Sequence, residues 1–251
     1  MNIRVVTPAF CSAELLDRSL QHFYEYAKGG YEHWILLNHY PVHKVDNDQK
    51  TIEIANKYGC RVLDCAEDTS LHGSTNLLLS HLGWPDGFLL SYDADTAIEQ
   101  MSHGFDVAMY EVMQEAKEKY NVALLALWGI GIDLKCRAGQ QFQKVFIKNR
   151  SVLLHPSVEM WSVSMFDLEF IKNIGGLRQT NRYYGGIEVA MIEGFRKYGK
   201  RLAYLTEYKE KYFNWEGLTV PEYGQYKAAH LAGFQESFER WLEINKPELL
   251  K

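Results

Sequence analysis

Apolar residues near the start of the chain come in short runs, and each run is followed by a stretch with helical spacing. Ile3 to Thr7 is a strand pattern that halts at Pro8. Leu16, Leu20, Phe23 and Ala27 then follow 4,3,4 spacing, which predicts a helix capped by Ser12 and ended by Gly29 and Gly30. Trp34 to Asn38 reads as the second strand. Asp48 to Tyr58 reads as the second helix, with Ile52, Ala55 and Tyr58 on one side and Gly59 past its end. Arg61 to Asp64 is a third strand, Ser74 to Leu82 a short helix, and Phe88 to Tyr92 a fourth strand. Strands alternating with helices over short links build a parallel sheet covered on both faces.

Beyond Asp95 the pattern loosens. Phe105 to Lys119 has helical spacing through Phe105, Ala108, Val112 and Ala116, and Asn121 to Leu127 is a strand. Between Trp128 and Leu154 no helix pattern is evident, and short β pieces are expected. Trp161 to Phe166 reads as a strand, and Asp167 caps a short helix closed by Gly175 and Gly176. Val189 to Tyr198 is helical and Arg201 to Leu205 is a strand. Pro221 to Leu242 reads as one amphipathic helical region, with Tyr226, Leu231, Phe234, Phe238 and Trp241 roughly in register. No repeat, low-complexity stretch or linker interrupts the 251 residues, so a single domain is expected, with two halves meeting near residue 100.

Composition narrows the class. Hydrophobic residues at 47% and charged residues at 24% suit a soluble globular chain. The aromatic share of 14% fits a cleft that stacks sugars or bases, and equally a Tyr-rich core. A net charge of -5 with no basic block argues against a tight, non-specific grip on nucleic acid, while leaving a local basic groove open. Cys11, Cys60, Cys65 and Cys136 lack zinc-ligand spacing and read as reduced thiols. The opening MNIRVVTPAF has no signal-peptide core, and no apolar run approaches the ~20 residues of a membrane span. A cytoplasmic protein without a membrane span is the expectation.

The chemistry concentrates in FLLSYDADT, Phe88 to Thr96. Asp93 and Asp95 stand where a buried strand leaves the sheet, the edge at which open α/β sheets bind ligands. Mg²⁺ or Mn²⁺ is held by a few carboxylates together with water and substrate phosphate oxygens. The pair therefore suits a divalent cation beneath a diphosphate, although a turn capped by Asp95 or Thr96 uses the same residues. A haloacid-dehalogenase-type D-x-D-x-[TV] is not matched, because position 97 is Ala97.

A second constellation is Tyr183-Tyr184-Gly185-Gly186-Ile187-Glu188. Glycines let a ligand approach, and a helix N-terminus favours a charged Glu188. Such a carboxylate suits a general base, or it only complements the helix terminus. Gly129-Ile130-Gly131 is not placed as a dinucleotide fingerprint, and no Walker motif occurs.

Taken in order, VVTPAF, LHGSTN (Leu71 to Asn76), LLSYDADT, FIKNIGGL (Phe170 to Leu177), the glycine–acid helix and RKYGKRLAYL resemble the nucleotide-sugar glycosyltransferases of the GT-A fold, in particular the large family-2 type. The resemblance runs from Ile3 to about Leu205. It implies an α/β fold: a GT-A type, Rossmann-like mixed sheet flanked by helices, with a nucleotide-sugar-binding half over 1–100 and an acceptor half with a C-terminal helix over 101–251. It implies a metal-dependent, inverting transfer of a sugar from a nucleoside-diphosphate sugar to an acceptor hydroxyl, with Mn²⁺ or Mg²⁺ as cofactor. The acceptor is open among saccharide, protein and modified nucleic-acid base.

The resemblance also assigns roles. Thr7, Pro8 and Ala9 would line the base pocket, and Asn38 would take the place of an aspartate on the uracil or ribose side. Asn76, in the glycine loop, would bind the nucleotide sugar. Asp93 would face the ribose and Asp95 the metal, with His230 as a further candidate metal ligand, and Glu188 would be the catalytic base. Three positions depart from the family pattern: Ile187-Glu188 in place of Glu-Asp, Ser74-Thr75-Asn76 in place of Ala-Arg-Asn, and Asn38 in place of an acid. A binder of nucleotide sugars that has lost its chemistry is therefore an alternative. A sugar-1-phosphate nucleotidyltransferase is another, but it wants a Gly-rich, basic loop after the first strand, and TPAFCSAELL is neither.

Overall fold

Each N-terminal apolar run forms a strand in the computed structural model, which describes residues 2–10, 13–65, 70–98, 103–129, 142–155, 163–177, 187–212, 221–231 and 236–250. The elements begin β1 (Ile3–Ala9), α1 (Ala13–Tyr26), β2 (Glu32–Leu37), α2 (Lys44–Lys57), β3 (Arg61–Asp64), α3 (Ser70–His81) and β4 (Phe88–Tyr92). There follow β5 (Thr96–Ile98), α4 (Phe105–Tyr120), β6 (Val122–Gly129), the hairpin β7 (Gln143–Ile147) and β8 (Arg150–His155), β9 (Val163–Asp167) and α5 (Leu168–Asn173). The last elements are α6 (Ile187–Tyr198), β10 (Arg201–Tyr212), α7 (Pro221–Leu231), α8 (Phe238–Asn245) and a 3-10 turn at Pro247–Leu250.

The sheet order is β3-β2-β1-β4-β9-β6-β10-β8-β7, with β5 paired to β10 off this path. β1 pairs in parallel with both β2 and β4, and β2 with β3. β9 lies antiparallel between β4 and β6, and β6 runs parallel to β10. The strands β1 to β4 and β6 therefore point one way, and their C-terminal ends share one edge. Connections from β1 build outward through β2 and β3, and the chain then returns to place β4 on the other side of β1. That reversal is the topological switch point at which open α/β sheets form a ligand crevice.

Period-2 alternation decides which face each strand residue covers. Val5, Phe88, Leu90 and Tyr92 pack with Phe23 of α1 and with Phe105, Met109 and Val112 of α4. Val6, Leu36 and Leu89 face the other way, onto Leu78 and Leu79 of α3, Phe170 of α5 and Phe195 of α6. All five residues of β4 are buried. Burying one such large apolar side chain contributes about 1.5–3 kcal/mol.

A polar chain crosses the layer between β1, β2 and α1. Thr7 Oγ1 lies 2.9 Å from His33 Nε2, Tyr24 Oη lies 3.1 Å from His33 Nδ1, and Tyr24 Oη lies 3.3 Å from Cys60 Sγ. Hydroxyls can donate or accept, so a neutral imidazole is satisfied on both nitrogens. Burial pushes the His33 pKa down to about 3. A histidine held neutral in the fold takes up its proton only on unfolding, so stability is full above the unfolded value of about 6.5 and is lost as pH falls toward 3. Between pH 6.5 and pH 5 this residue should remove about 2 kcal/mol. Urea denaturation at several pH values checks it, since His33→Asn should flatten the slope in that window.

Several boundaries differ from expectation: α3 begins at Ser70 rather than Ser74, so LHGSTN (Leu71 to Asn76) is helical and not a loop, and β10 runs on to Tyr212. Helix α2 begins at Lys44 rather than Asp48. The C-terminal region is two helices rather than one, because Ser237 starts α8 afresh, its Oγ accepting from Arg240 N at 3.2 Å. β5 was not evident in the sequence, since three residues carry no periodicity. The expected cap Ser12 and the strand residue Trp161 lie outside the described residues.

Candidate active site

The strand ends are flush at the crevice edge. Asn38 N donates to Ala9 O at 2.9 Å and Cys65 N donates to Leu37 O at 3.1 Å, extending the ladder one residue past each strand. On the far side of β1, the end of β4 turns at once. Thr96 N donates to Asp93 O at 3.2 Å, so Asp93 and Asp95 sit on one tight turn, and both are partly exposed.

Two hydroxyls pin this turn from inside. Ser19 Oγ, on α1, lies 2.8 Å from Asp93 O and 3.0 Å from Thr96 O, and Tyr92 Oη donates to Thr96 O at 3.1 Å. Ala94 packs against Ala9, Leu16 and Leu20. A turn fixed through its carbonyls and its one apolar side chain gives its two carboxylates a stable base. After it, β5 pairs antiparallel with Glu210–Tyr212 at the end of β10. β10 reaches that place because its pairing with β6 slips between Leu205 and Lys209, a bulge of the kind that bends a strand beside a site.

The side-chain roles assigned from sequence separate here. Thr7 is fully buried with its hydroxyl on His33, so its side chain belongs to the core. Pro8 and Ala9 occupy the last two positions of β1, beside the crevice. Asn38 is buried, its amide donating to Leu36 O at 3.4 Å and Ser74 Oγ at 3.5 Å. Asn76 is taken up by Leu177: Nδ2 donates to Leu177 O at 2.7 Å, and Leu177 N donates to Oδ1 at 2.9 Å. Its amide thus copies a peptide pair and joins α3 to the end of the FIKNIGGL segment. Gly176 is needed beside it. Its φ is 95°, and a Cβ there would stand 2.8 Å from Asn76 Oδ1.

Glu188 is the second residue of α6. Gly194 lets this helix lie against α5, since a Cβ there would be 2.8 Å from Ile174 Cγ2. The helix ends at Tyr198, just before β10 starts at the opposite edge of the sheet, so its N-terminus rises toward the crevice edge. The side chains of Glu188 and His230, and the pair Gly185-Gly186, lie outside the described residues. Helix α7, which carries His230, and helix α8 dock on the same edge through an aromatic cluster. Ring centroids are 5.8 Å apart for Phe10–Tyr40, 5.1 Å for Phe10–Tyr223 and 5.6 Å for Tyr40–Phe238.

Sequence reasoning missed a second polar group on this edge. His39 Nδ1 lies 2.7 Å from Asp48 Oδ2 and its Nε2 lies 2.7 Å from Asp64 Oδ1. The three residues sit on successive pieces of the chain, after β2, in α2 and at the end of β3, with spacings of 9 and 16 that match no helix or strand period. Among the described residues no group of three or more His, Cys, Asp or Glu is arranged to hold a metal. The carboxylates of Asp93 and Asp95 suit the hard, oxygen-seeking cations that complete their shell with water and phosphate.

No protein-family model matches the sequence, and no curated protein matches it significantly. Solved structures do. GalNAc-T7 with UDP, GalNAc and Mn²⁺ aligns over 98% of this chain and 50% of its own, at a TM-score of 0.62 and 10% identity. The mannosyltransferase PcManGT from Pyrobaculum calidifontis, in complex with GDP-Man and Mn²⁺, aligns over 99% of this chain and 71% of its own, at a TM-score of 0.59 and 14% identity. The chain spans half the length of the first of these proteins. Among the described residues no helix is long and apolar enough to cross a membrane. With its mixed sheet and flanking helices, the chain carries the GT-A fold of nucleotide-sugar glycosyltransferases.

Proposed function

We propose that the chain transfers a sugar from a nucleoside-diphosphate sugar to an acceptor hydroxyl, with inversion at the anomeric carbon. The observation that carries this reading is the pinned turn of Asp93 and Asp95 at the switch-point crevice of a GT-A sheet. Both solved neighbours hold Mn²⁺ and either UDP or GDP-Man.

Asp95 would hold Mn²⁺ or Mg²⁺, with Asp93 toward the ribose and His230 as a further ligand. A cation bound there supplies Lewis-acid neutralisation of the departing diphosphate. Pro8 and Ala9 line the floor beneath the nucleotide, and Asn38 braces that floor through α3. Glu188 accepts the proton of the acceptor hydroxyl, its charge favoured by the N-terminus of α6. The acceptor is a hydroxyl compound, whether saccharide, protein or modified base.

The test is release of free nucleoside diphosphate from a panel of nucleotide sugars with Mn²⁺, with and without acceptors. Release with one donor supports transfer, whereas binding without release from any donor supports the inactive-binder alternative. Glu188→Gln should lower kcat by about 10²–10⁴-fold, the usual worth of a general base. Its nucleotide affinity, measured by calorimetry, should stay at the wild-type value. Full turnover in this variant would remove Glu188 from the chemistry.

A further inference from the structure

The two edges of the sheet are built differently. At one edge, β3 begins with Arg61, paired with Glu32 at 2.8 Å, and ends with Asp64. A charge at each end of a short strand discourages pairing with another chain. The other edge is β7, which pairs with β8 and beyond which no strand lies among the described residues. It carries one charge, Lys144, whose Nζ sits 5.4 Å from the centroid of the Phe146 ring. Phe146 is 68% exposed, although it lies within a strand.

The hairpin fixes which way each backbone group of β7 points. Lys148 and Asn149 form a two-residue turn with φ 50° and 62°, so Ile147 and Arg150 are a hydrogen-bonded pair. Alternation then gives the N–H and C=O of Gln143, Val145 and Ile147 to β8. Those of Lys144 and Phe146 point away from β8. The side chains of these same two residues share the exposed face, while Val145 packs on the core beside α4 and Ile147 is fully buried.

An antiparallel partner sets its own outward-pointing residues opposite these two. For a second copy of β7, three registers pair such residues with one another. Centred on Lys144, the pairing puts the two Lys144 ammonium groups face to face. Centred on Phe146, it puts Lys144 opposite Lys148. Like charges directly opposite destabilise a strand pair. Centred on Val145, it puts each Lys144 opposite Phe146 of the second copy. Lys144 N–H then donates to Phe146 C=O and Phe146 N–H to Lys144 C=O, each twice by symmetry. The ammonium that leans on its own Phe146 ring gains another ring on the facing strand.

We propose that β7 pairs with β7 of a second copy of this chain, centred on Val145, so that two sheets join into one across a twofold axis. The charge pattern of the strand selects both the partner and the register. Five residues bury less than a standard interface, so the dimer is a weak one that exchanges with monomer. The pairing does not depend on the transferase reading.

Sedimentation velocity of the full chain, from about 5 μM to about 1 mM, tests the proposal. The wild type should pass from monomer toward dimer across that range. Phe146→Lys sets a lysine against Lys144 and should weaken dimerisation about tenfold. Phe146→Glu loses the same ring but sets a carboxylate against Lys144. It should dimerise at least about tenfold more tightly than Phe146→Lys, the effect of two cross-strand charge pairs. Both changes fall on an exposed side chain, and circular dichroism checks that the fold is kept. Val145→Cys reads the register. Position 145 faces itself as a non-hydrogen-bonded pair with Cα atoms about 4.5 Å apart, within reach of a disulfide. Mild oxidation should therefore link two copies through that position, as peptide mapping of the linked species shows. A wild type that stays monomeric at every concentration overturns the proposal. Equal dimerisation by Phe146→Lys and Phe146→Glu also overturns it, because the contact then lies elsewhere.

Discussion

Asp95→Ala should lower sugar transfer by about a thousandfold at saturating Mn²⁺, on the scale of removing one preorganised electrostatic contact from a transition state. In the proposed reaction the bond to the anomeric carbon breaks as negative charge gathers on the leaving diphosphate. Only a group that holds positive charge at that spot favours the transition state over the bound donor. The effect should therefore appear in kcat as well as in donor affinity. The turn itself should survive the change. Its carbonyls are held by Ser19 and Tyr92, and Ala94 packs beneath it, so neither depends on the Asp95 carboxylate. Asp95→Asn keeps the shape and removes the charge, and it should be nearly as impaired. Steady-state transfer with an Mn²⁺ titration measures both variants. Wild-type turnover by Asp95→Ala would remove the metal role from this turn.

Asp106→Ala should cost about 3 kcal/mol of stability, the scale of leaving a few hydrogen-bond donors without their acceptor. The side chain is fully buried at the start of α4, away from the crevice. It accepts from Lys28 N at 3.0 and 3.1 Å, from Gly29 N at 2.8 Å and from the Tyr31 hydroxyl. These donors belong to the loop that joins α1 to β2, and Gly104 N donates to Tyr26 O at 2.7 Å beside them. Alanine leaves two backbone N–H groups and one hydroxyl without the acceptor they share in this part-buried cluster. For a chain of this size the melting temperature should fall by roughly 10 °C. Urea denaturation followed by circular dichroism gives the free energy, and a loss below about 1 kcal/mol would contradict this account. Nucleotide affinity of the folded fraction should not change, which separates this variant from Asp95→Ala.

The first ninety or so residues were largely legible because parallel strands buried on both faces read as plain apolar runs. β1, β2, β3 and β4 all lie where those runs predict them, and Asp167 caps α5 as expected, accepting from Glu169 N. The later region was less legible because its strands are placed by partners distant in sequence. Nothing near Val163 announces that β9 will enter antiparallel between β4 and β6. The β7–β8 hairpin turns on Lys148 and Asn149 at φ 50° and 62°, a conformation favoured in two-residue hairpins but weakly signalled by lysine.

Within the site, the two aspartates were visible because they stand next to one another in the chain. The brace of His39 was not, since its three members become neighbours only when α2 and β3 fold onto the end of β2. Asn76 shows the opposite case. A residue type associated with ligand contact is committed to the backbone of Leu177, and only coordinates reveal where an amide points.

The insertion of β9 has a bearing on where the chain could be divided. The outermost of the four parallel N-terminal strands on this side, Phe88–Tyr92, is sheltered along its free side by a segment encoded some seventy residues later. A cut near residue 100 would strip that shelter and bare a buried, mostly apolar strand to aggregation. The two halves of the sheet are therefore not separable at residue 100, because each supplies a neighbour that the other's strands need.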